Sequence, residues 1–429
     1  MKCKAKVSEM IRGLESVVDV ANKNGISDFD QVGKVHLDVK DGEMVASAWN
    51  GRMTIDTVLS DITLDDFEYS CDEPGDITVN ASELFIALTS FPPSQILIME
   101  SKSGGSGKEI TLTLADDPDQ YNTIPCYEDG LDKPEAASDI TKEIVIRRDV
   151  FIRGINKVSF AVGFEKNRVH YHYWVLKGED KWARFVVGSG SRFAAYDVDG
   201  DNIFKTKTDE FQILFPKEQT EVFLKVLSRI DDEWITIKES NPVPGPFQLT
   251  ISCPSCEILL VGMDANIKWI DENTVLKADY NSKFITEIVD WAFAGKGTLA
   301  TWDEQLKKDR KPHKGLVDVN FDKKNLTLKA ETKMKSQRKI KIEDSSSDKK
   351  SIEFAVSVSF LADIAEHAED KGFVQIEHLE TDSGDKKRPV VVRYYAAQNV
   401  TPDSNSITRT NPQLNVDEKF SMFFAQLNV

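Results

Sequence analysis

Histidine and cysteine, on which much enzyme chemistry rests, are scarce in this 429-residue sequence, which has six of one and five of the other. The cysteines, Cys3, Cys71, Cys126, Cys253 and Cys256, are odd in number and scattered. That excludes a disulfide framework and fits free thiols in a reducing compartment. No apolar run approaches the roughly 18–20 residues of a membrane helix. The opening MKCKAKVSEMIRGL has charges through any would-be apolar core, so no signal peptide is expected. The expectation is a cytoplasmic chain with no membrane contact. Basic residues are missing above all from the first third. Residues 1–140 hold 11 Lys and Arg against 27 Asp and Glu, residues 141–275 hold 18 against 20, and residues 276–429 hold 25 against 24. The net charge of −17 is therefore local, and it leaves a nucleic-acid partner open for the rest of the chain.

What the sequence does contain is a pattern that recurs three times. Each third opens with an amphipathic helix. Met10, Ile11, Leu14, Val17, Val18 and Ala21 fall at helical spacing in the first, RDVFIRGINKVSFAVG forms the second and SKFITEIVDWAFAG the third. Short alternating strands follow: KVHLDVKDGEMVASAW, then VHYHYWVLKGEDKWARFVVGSGSRFAAYDV, then GLVDVNFDKKNLTLKAET. A strand then runs into a second helix, in DITVNASELFIALTSF (Asn80 or Ser82 as N-cap), FQILFPKEQTEVFLKVLSRI and IEFAVSVSFLADIAEHAEDKG. Further strands close each third. A period of roughly 140 residues is too long for a solenoid and predicts homologous domains. The expected fold class is α+β, with three repeated domains, 1–140, 141–275 and 276–429, each with two helices packed on antiparallel sheets. The third carries expanded basic loops, residues 307–350 holding 15 Lys and Arg against 7 Asp and Glu.

The stretch RFVVGSGSRFAAY, residues 184–196, puts a glycine-rich turn between two apolar runs. A phosphate cradle is disfavoured: the third glycine of G-x-G-x-x-G is missing, no helix follows, and no Gly-Lys-Ser/Thr lies nearby. A hairpin presenting Arg192 and Phe193 fits better. Phe193 then reads either as an anchor for a docked peptide or as an ordinary core residue.

Taken together these segments resemble the bacterial DNA polymerase III β sliding clamps, in a divergent or phage-borne form. VNASELFIALTSFPPSQILIM resembles the first clamp domain. NRVHYHYWVLKGEDKWARFVVGSGSRFAAY follows the second-domain hairpin without gaps, Gly188-Ser-Gly-Ser-Arg-Phe-Ala194 standing where the family has Thr-Asp-Gly-His-Arg-Leu-Ala. IEFAVSVSFLADIAEHAEDKGFVQIEH resembles the third domain, and FFAQLNV stands where the family ends in Met-Pro-Met-Arg-Leu. The resemblance implies a non-catalytic ring, a homodimer without cofactor. It would encircle double-stranded DNA without sequence preference, be placed there by a clamp loader, and tether DNA polymerase and other partners. A peptide pocket between the second and third domains would be formed by Tyr171, Gly188, Gly190, Ser191, Arg192 and Phe193. Ser357, Phe360 and the tail Phe424, Ala425, Gln426, Leu427, Asn428 and Val429 would complete it, with Ile267 and Pro389 at less secure positions. Ser191 replaces the family's usual histidine and Gln426 its proline, so the preferred peptide is expected to differ.

A ring holds phosphates and carries no base-specific contacts. The expected lining cations are Lys6, Arg12 and Lys23 in the first third, Arg147, Arg148, Arg153, Lys157, Lys225 and Arg229 in the second, and Lys283 and Lys296 in the third. The competing reading is a metal-dependent hydrolase. His170 and His172 alternate along an expected strand, and Cys253-Pro-Ser-Cys256 has C-x-x-C spacing. The cysteine pair stands alone, however, where a strong zinc signature needs two half-sites. DVDGDN, residues 197–202, lacks the glutamate that closes a calcium loop, since position twelve is Thr208. DDPDQ (116–120) and SDITLDDFE (60–68) read as solvated acidic loops.

Overall fold

The structure is a computed structural model. It describes residues 1–22, 30–60, 68–104, 107–162, 172–188, 192–241, 247–263, 282–287, 290, 294, 316–322, 324–331, 335–347, 351–357, 373–378, 390–395, 409–411 and 416–424. The elements, in chain order, are as follows. First come β1 (Lys2–Lys6), α1 (Val7–Asn22), β2 (Lys34–Lys40), β3 (Glu43–Trp49), β4 (Met53–Ser60) and β5 (Tyr69–Glu73). Next are β6 (Gly75–Asn80), α2 (Ala81–Thr89), β7 (Ile96–Gly104), β8 (Gly107–Leu114) and β9 (Tyr121–Pro125). The middle of the chain supplies β10 (Ile140–Arg147), α3 (Arg148–Val158), β11 (Tyr173–Glu179), β12 (Trp182–Gly188) and β13 (Arg192–Asp199). It continues with β14 (Phe211–Pro216), α4 (Lys217–Leu227), β15 (Trp234–Ser240), β16 (Phe247–Cys253) and β17 (Cys256–Met263). The last part gives β18 (Ser282–Glu287), β19 (Leu316–Asp322), β20 (Asn325–Glu331), β21 (Lys335–Lys341) and β22 (Asp344–Ser347). It ends with β23 (Ser351–Ser357), β24 (Phe373–His378), β25 (Val390–Tyr395), β26 (Arg409–Asn411) and β27 (Val416–Phe424).

The chain forms two compact units. One comprises Met1–Ile152, Phe204–Thr206 and Phe215–Asn266; the other comprises Arg153–Ile203, Lys207–Leu214 and Ile267–Val429. The first holds a five-stranded sheet, β5-β1-β7-β8-β9, and an eight-stranded one, β10-β15-β16-β17-β4-β3-β2-β6. The second holds a long sheet, β14-β11-β12-β13-β27-β25-β24-β18-β22, with β26 beside β27, and a four-stranded sheet, β21-β20-β19-β23.

One strand order therefore occurs three times. A closing sheet, β1-β7-β8-β9, β10-β15-β16-β17 or β18-β24-β25-β27, accompanies a meander sheet, β4-β3-β2-β6, β13-β12-β11-β14 or β21-β20-β19-β23. In two places the last strand of a closing sheet runs antiparallel along the third strand of a meander: β17 on β4 and β27 on β13. A fifth strand flanks β1 (β5) and β18 (β22), while in the middle copy a single bridge, Ile146 to Phe204, holds that place. Among the described residues, β9, paired with β8 alone, and β21, paired with β20 alone, are the closing strand and third meander strand that take part in no such join.

Local sequence accounts for these elements. Met10, Leu14, Val17 and Ala21 bury one stripe of α1, and α2 starts at Asn80, whose side chain accepts from the Ser82 and Glu83 amides at 3.0 and 3.1 Å. The β2–β3 hairpin closes through Asp41-Gly42, with Gly42 at φ 79°. Two helices share a tetrad, Ile11-Arg12-Gly13-Leu14 and Ile152-Arg153-Gly154-Ile155. The glycine lets each helix lie against a sheet side chain. A Cβ on Gly13 would sit 2.4–2.9 Å from three Leu59 carbons, and one on Gly154 2.3–2.5 Å from three carbons of the Phe185 ring.

One expectation is corrected here. The third opening segment, read as a helix from Ser282, begins as strand β18, with Phe284 and Ile285 buried between β24 and β22. Most of the rest of that helix, and the second helix of the third copy, lie outside the described residues.

Candidate functional site

Backbone register in the second unit draws several of the nominated pocket positions to one end of the long sheet. Gly188 lies opposite Phe193, Arg192 opposite Phe424, and Phe424 opposite Val390 on its other side. In sequence, Pro389 directly precedes Val390, Gly190 and Ser191 fall between β12 and β13, and Ala425 to Val429 follow β27. Tyr171, Gly190, Ser191, Ile267, Phe360, Pro389, Ala425, Gln426, Leu427, Asn428 and Val429 lie outside the described residues. Ser357 is not in this row, since it opposes Leu316 in the four-stranded sheet.

Phe193 is buried at 5% exposure in a cluster with Val186 and Ala195, so its ring serves the core. Gly188 is the residue that admits it, because a Cβ there would come within 2.9 Å of the Phe193 ring. Arg192 is half-buried at the mouth of the hairpin.

The nominated phosphate contacts divide into two groups. Lys225 in the last turn of α4 and Arg229 just beyond it meet Glu15 and Asp19, four apart on α1. Lys225 Nζ is 2.6 Å from Asp19, and Arg229 lies 2.7 Å from Asp19 and 2.5 Å from Glu15. Arg12 pairs with Asp231. Burial alone raises the Asp19 pKa, but hydrogen bonds from Lys225 and Arg229 more than reverse this and hold it below 3.8. These three cations, expected to face phosphates, are matched by three carboxylates and chiefly fasten α1 to α4. Sequence reasoning missed those carboxylates, although the matching four-residue spacing was a signal for them.

α3 differs. It carries Arg148, Arg153 and Lys157 against one acid, Asp149, which takes Arg148 at 2.9 Å; Arg153 Nε donates to Tyr196 Oη at 3.1 Å. Arg147 lies 4.0 Å from Glu233. Lys6 ends β1, on the face turned away from Cys3 and Ala5, and Lys283 sits on strand β18 instead of a helix. Lys23 and Lys296 lie outside the described residues. Together the four described helices bear six basic and seven acidic side chains.

The metal reading loses its geometry. Cys253 and Cys256 face each other across the two-residue turn of the β16–β17 hairpin. Burial pushes the Cys253 thiol up to about 11 and that of Cys256 well above the ordinary value. His172 precedes the first residue of β11 instead of alternating along it, and belongs to the other unit; His170 lies outside the described residues. Asp197 of DVDGDN is gripped by Arg184 at 2.5 and 3.0 Å.

His36 is a titratable group that the sequence did not single out. It lies on the eight-stranded sheet with Nδ1 3.0 Å from Thr78 Oγ1, and burial lowers its pKa below 6.5 against the pull of Asp76 and Asp38. A histidine harder to protonate when folded gives full stability above pH 6.5 and loses it as pH falls below that value. Melting curves of the first unit taken at pH values on either side of 6.5 should show this loss, and His36→Gln should flatten it.

No family model matches the sequence, and no curated protein does. Solved structures match over the full length. The DNA polymerase III beta chain from Streptococcus pneumoniae aligns with a TM-score of 0.77 at 13% identity, covering 100% of both chains. The DNA polymerase sliding clamp from Caulobacter crescentus gives 0.74 at 14%, and the DNA polymerase III subunit beta from Pseudomonas aeruginosa 0.76 at 14%, again over 100% of both chains.

Proposed function

We propose that this chain, which has the fold of the DNA polymerase sliding clamps along its full length, works as a clamp: a ring around duplex DNA that tethers a polymerase. The observation that carries the reading is the thrice-repeated strand order with two edge-to-edge joins and two edges, β9 and β21, left over. On this reading the domains are 1–140, 141–275 and 276–429. Two copies arranged head to tail give six similar domains, and each copy offers the outer edge of its β9 to the outer edge of the other's β21. A heterologous contact repeated by a two-fold axis closes instead of growing into a filament. The work is mechanical, no bond being made or broken by the chain, and a separate ATP-driven loader opens the ring in the cytoplasm.

The helix charges imply a loose grip. With acids balancing bases on the four described helices, of which α3 alone has a clear basic excess, the salt dependence of DNA binding should be shallow. Lys225→Gln should therefore change retention on DNA little, because the wild-type cation is already held by Asp19. Binding titrations at several salt concentrations check this.

The groove for partner peptides is the strand end around Gly188, Arg192 and Phe424, completed by the tail. Removing residues 425–429 should abolish capture of a polymerase's clamp-binding peptide while leaving the fold intact.

The topological claim is tested by separating the two chains in mild denaturant and removing the denaturant in the presence of closed circular DNA. A salt-resistant complex that is lost when the circle is cut supports encirclement. Equal retention on circular and linear DNA would mean ordinary surface binding.

A further inference from the structure

The cysteines are scattered along the sequence, yet four of the five stand in two facing pairs once the strands are laid together. Cys3 of β1 lies opposite Cys71 of β5, and Cys253 lies opposite Cys256 across the β16–β17 turn. All are free thiols. Only the fold brings the first pair together, and a bulge decides it. Lys2 opposes Glu73, so an unbroken ladder would set Cys3 against Asp72; the register slips there and sets it against Cys71 instead. Directly opposed residues of an antiparallel pair have Cα atoms about 4.5–5.5 Å apart, inside the about 4.4–6.8 Å that a disulfide spans, and their side chains share a face. We propose that Cys3 and Cys71 form a reversible disulfide, a latch that ties β5 to β1 when the surrounding thiol pool turns oxidising.

The two thiols differ in access, which orders the chemistry. Cys71 is half-buried on β5, the edge of its sheet among the described residues, where a small disulfide such as oxidised glutathione can reach it. Cys3 is fully buried on β1, between β5 and β7. Burial, with the Cys71 thiol beside it, pushes the Cys3 thiol up to about 12, so Cys3 is not the first to react. The Cys71 thiolate attacks one sulfur of oxidised glutathione, forms a mixed disulfide and expels one glutathione thiolate. Cys3 then attacks the Cys71 sulfur and expels the second. Each departing thiolate takes up the proton that a cysteine has lost. Two protein thiols are oxidised, one glutathione disulfide is reduced to two thiols, and excess reduced glutathione runs the sequence backwards. The other pair is arranged differently: the Cys253 thiol donates to the Cys256 carbonyl at 3.6 Å, and a bridge there would close only the hairpin turn.

The latch would hold a strand shared by two sheets. β5 pairs with β1 in the five-stranded sheet and runs through Pro74 into β6 of the eight-stranded one. Tyr69 of β5 donates its hydroxyl to the Lys40 and Glu43 carbonyls at the β2–β3 turn, at 2.8 and 3.1 Å. In the reduced chain the ladder and these hydrogen bonds hold β5. In the oxidised chain a covalent bond fixes it, whether or not the chain closes a ring.

The full chain is equilibrated in glutathione buffers from reduced to oxidised, its remaining thiols are alkylated, and its peptides are mapped by mass. The expected product is a peptide pair joined at Cys3 and Cys71, short of two hydrogens, that excess reduced glutathione returns to the dithiol. Linking residues so far apart in the chain should raise Tm by roughly 10 °C. Cys71→Ala, shown to be folded by its melting curve under reducing conditions, should keep one Tm in both buffers. Glutathione retained on Cys71 with Cys3 free, a bridge from Cys71 to any other cysteine, or both thiols free in the oxidised buffer would each overturn the proposal. A linked pair that leaves Tm unmoved would be a bond without a latch, and overturns it too.

Discussion

Gly154→Ala is expected to lower the stability of the second unit by about 2 kcal/mol, although alanine is the better helix former. Alanine gains up to about 1 kcal/mol of intrinsic helix propensity over glycine. Against that, its methyl would have to sit 2.3–2.5 Å from three carbons of the Phe185 ring. Phe185 is fully buried and packs against the Tyr196 ring at 6.3 Å, so it has nowhere to turn. Overpacking of this kind costs about 1–3 kcal/mol, and more where the backbone must shift. Thermal or denaturant unfolding followed with a probe in the second unit measures the loss. Gly154→Ala combined with Phe185→Leu should recover much of it, because the pair shares one clash. Gly130→Ala, with nothing within 4 Å of its Cβ, should change little. Equal effects at residues 130 and 154 would refute the packing argument.

Arg229→Glu should be the most damaging single charge change in the first unit, at about 2–3 kcal/mol. Arg229 is 19% exposed and holds Asp19 and Glu15 at once. Reversal sets three carboxylates face to face between α1 and α4 and leaves Lys225 as the nearest cation. The partial exposure keeps the cost below that of a fully buried pair. Asp19 also gives the contact a pH signature. Its folded pKa lies below the ordinary 3.8, so its contribution is complete above that value and is lost as pH falls through the lower folded one. Arg229→Glu should remove that acid limb, and the exchange Asp19→Arg with Arg229→Asp should restore part of the stability. Unfolding midpoints across acid pH read both effects.

How far the sequence could be read depended on whether the deciding interaction was local. α2 was legible and its cap narrowed to Asn80 or Ser82, because the Asn80 side chain acts on amides only two and three residues away. The β2–β3 hairpin was legible from alternation and Asp-Gly. Ser282–Glu287 was misread because SKFITE has only the Phe-Ile pair and no period of its own, and what makes it a strand is pairing with β22 and β24, far away in the sequence. The helix cations could be picked out in the sequence, whereas the carboxylates that Arg12, Lys225 and Arg229 meet could not. The partners of Arg229 lie more than 200 residues earlier in the chain, and spacing within one helix says nothing of what crosses it. Phe193 shows the same limit from the other side. The turn that presents it was legible, whereas its burial over Gly188 follows from the opposite strand. The tetrad shared by α1 and α3 was available in the sequence and is the strongest local trace of the repeat.

Small-angle X-ray scattering on a freshly eluted sample, repeated over a dilution series, tests the central claim most directly. A closed two-chain clamp requires a particle of twice 48.2 kDa, with the distance distribution of a hollow ring that persists on dilution. A single-chain mass at every concentration, or a two-chain particle with a filled centre, would contradict it.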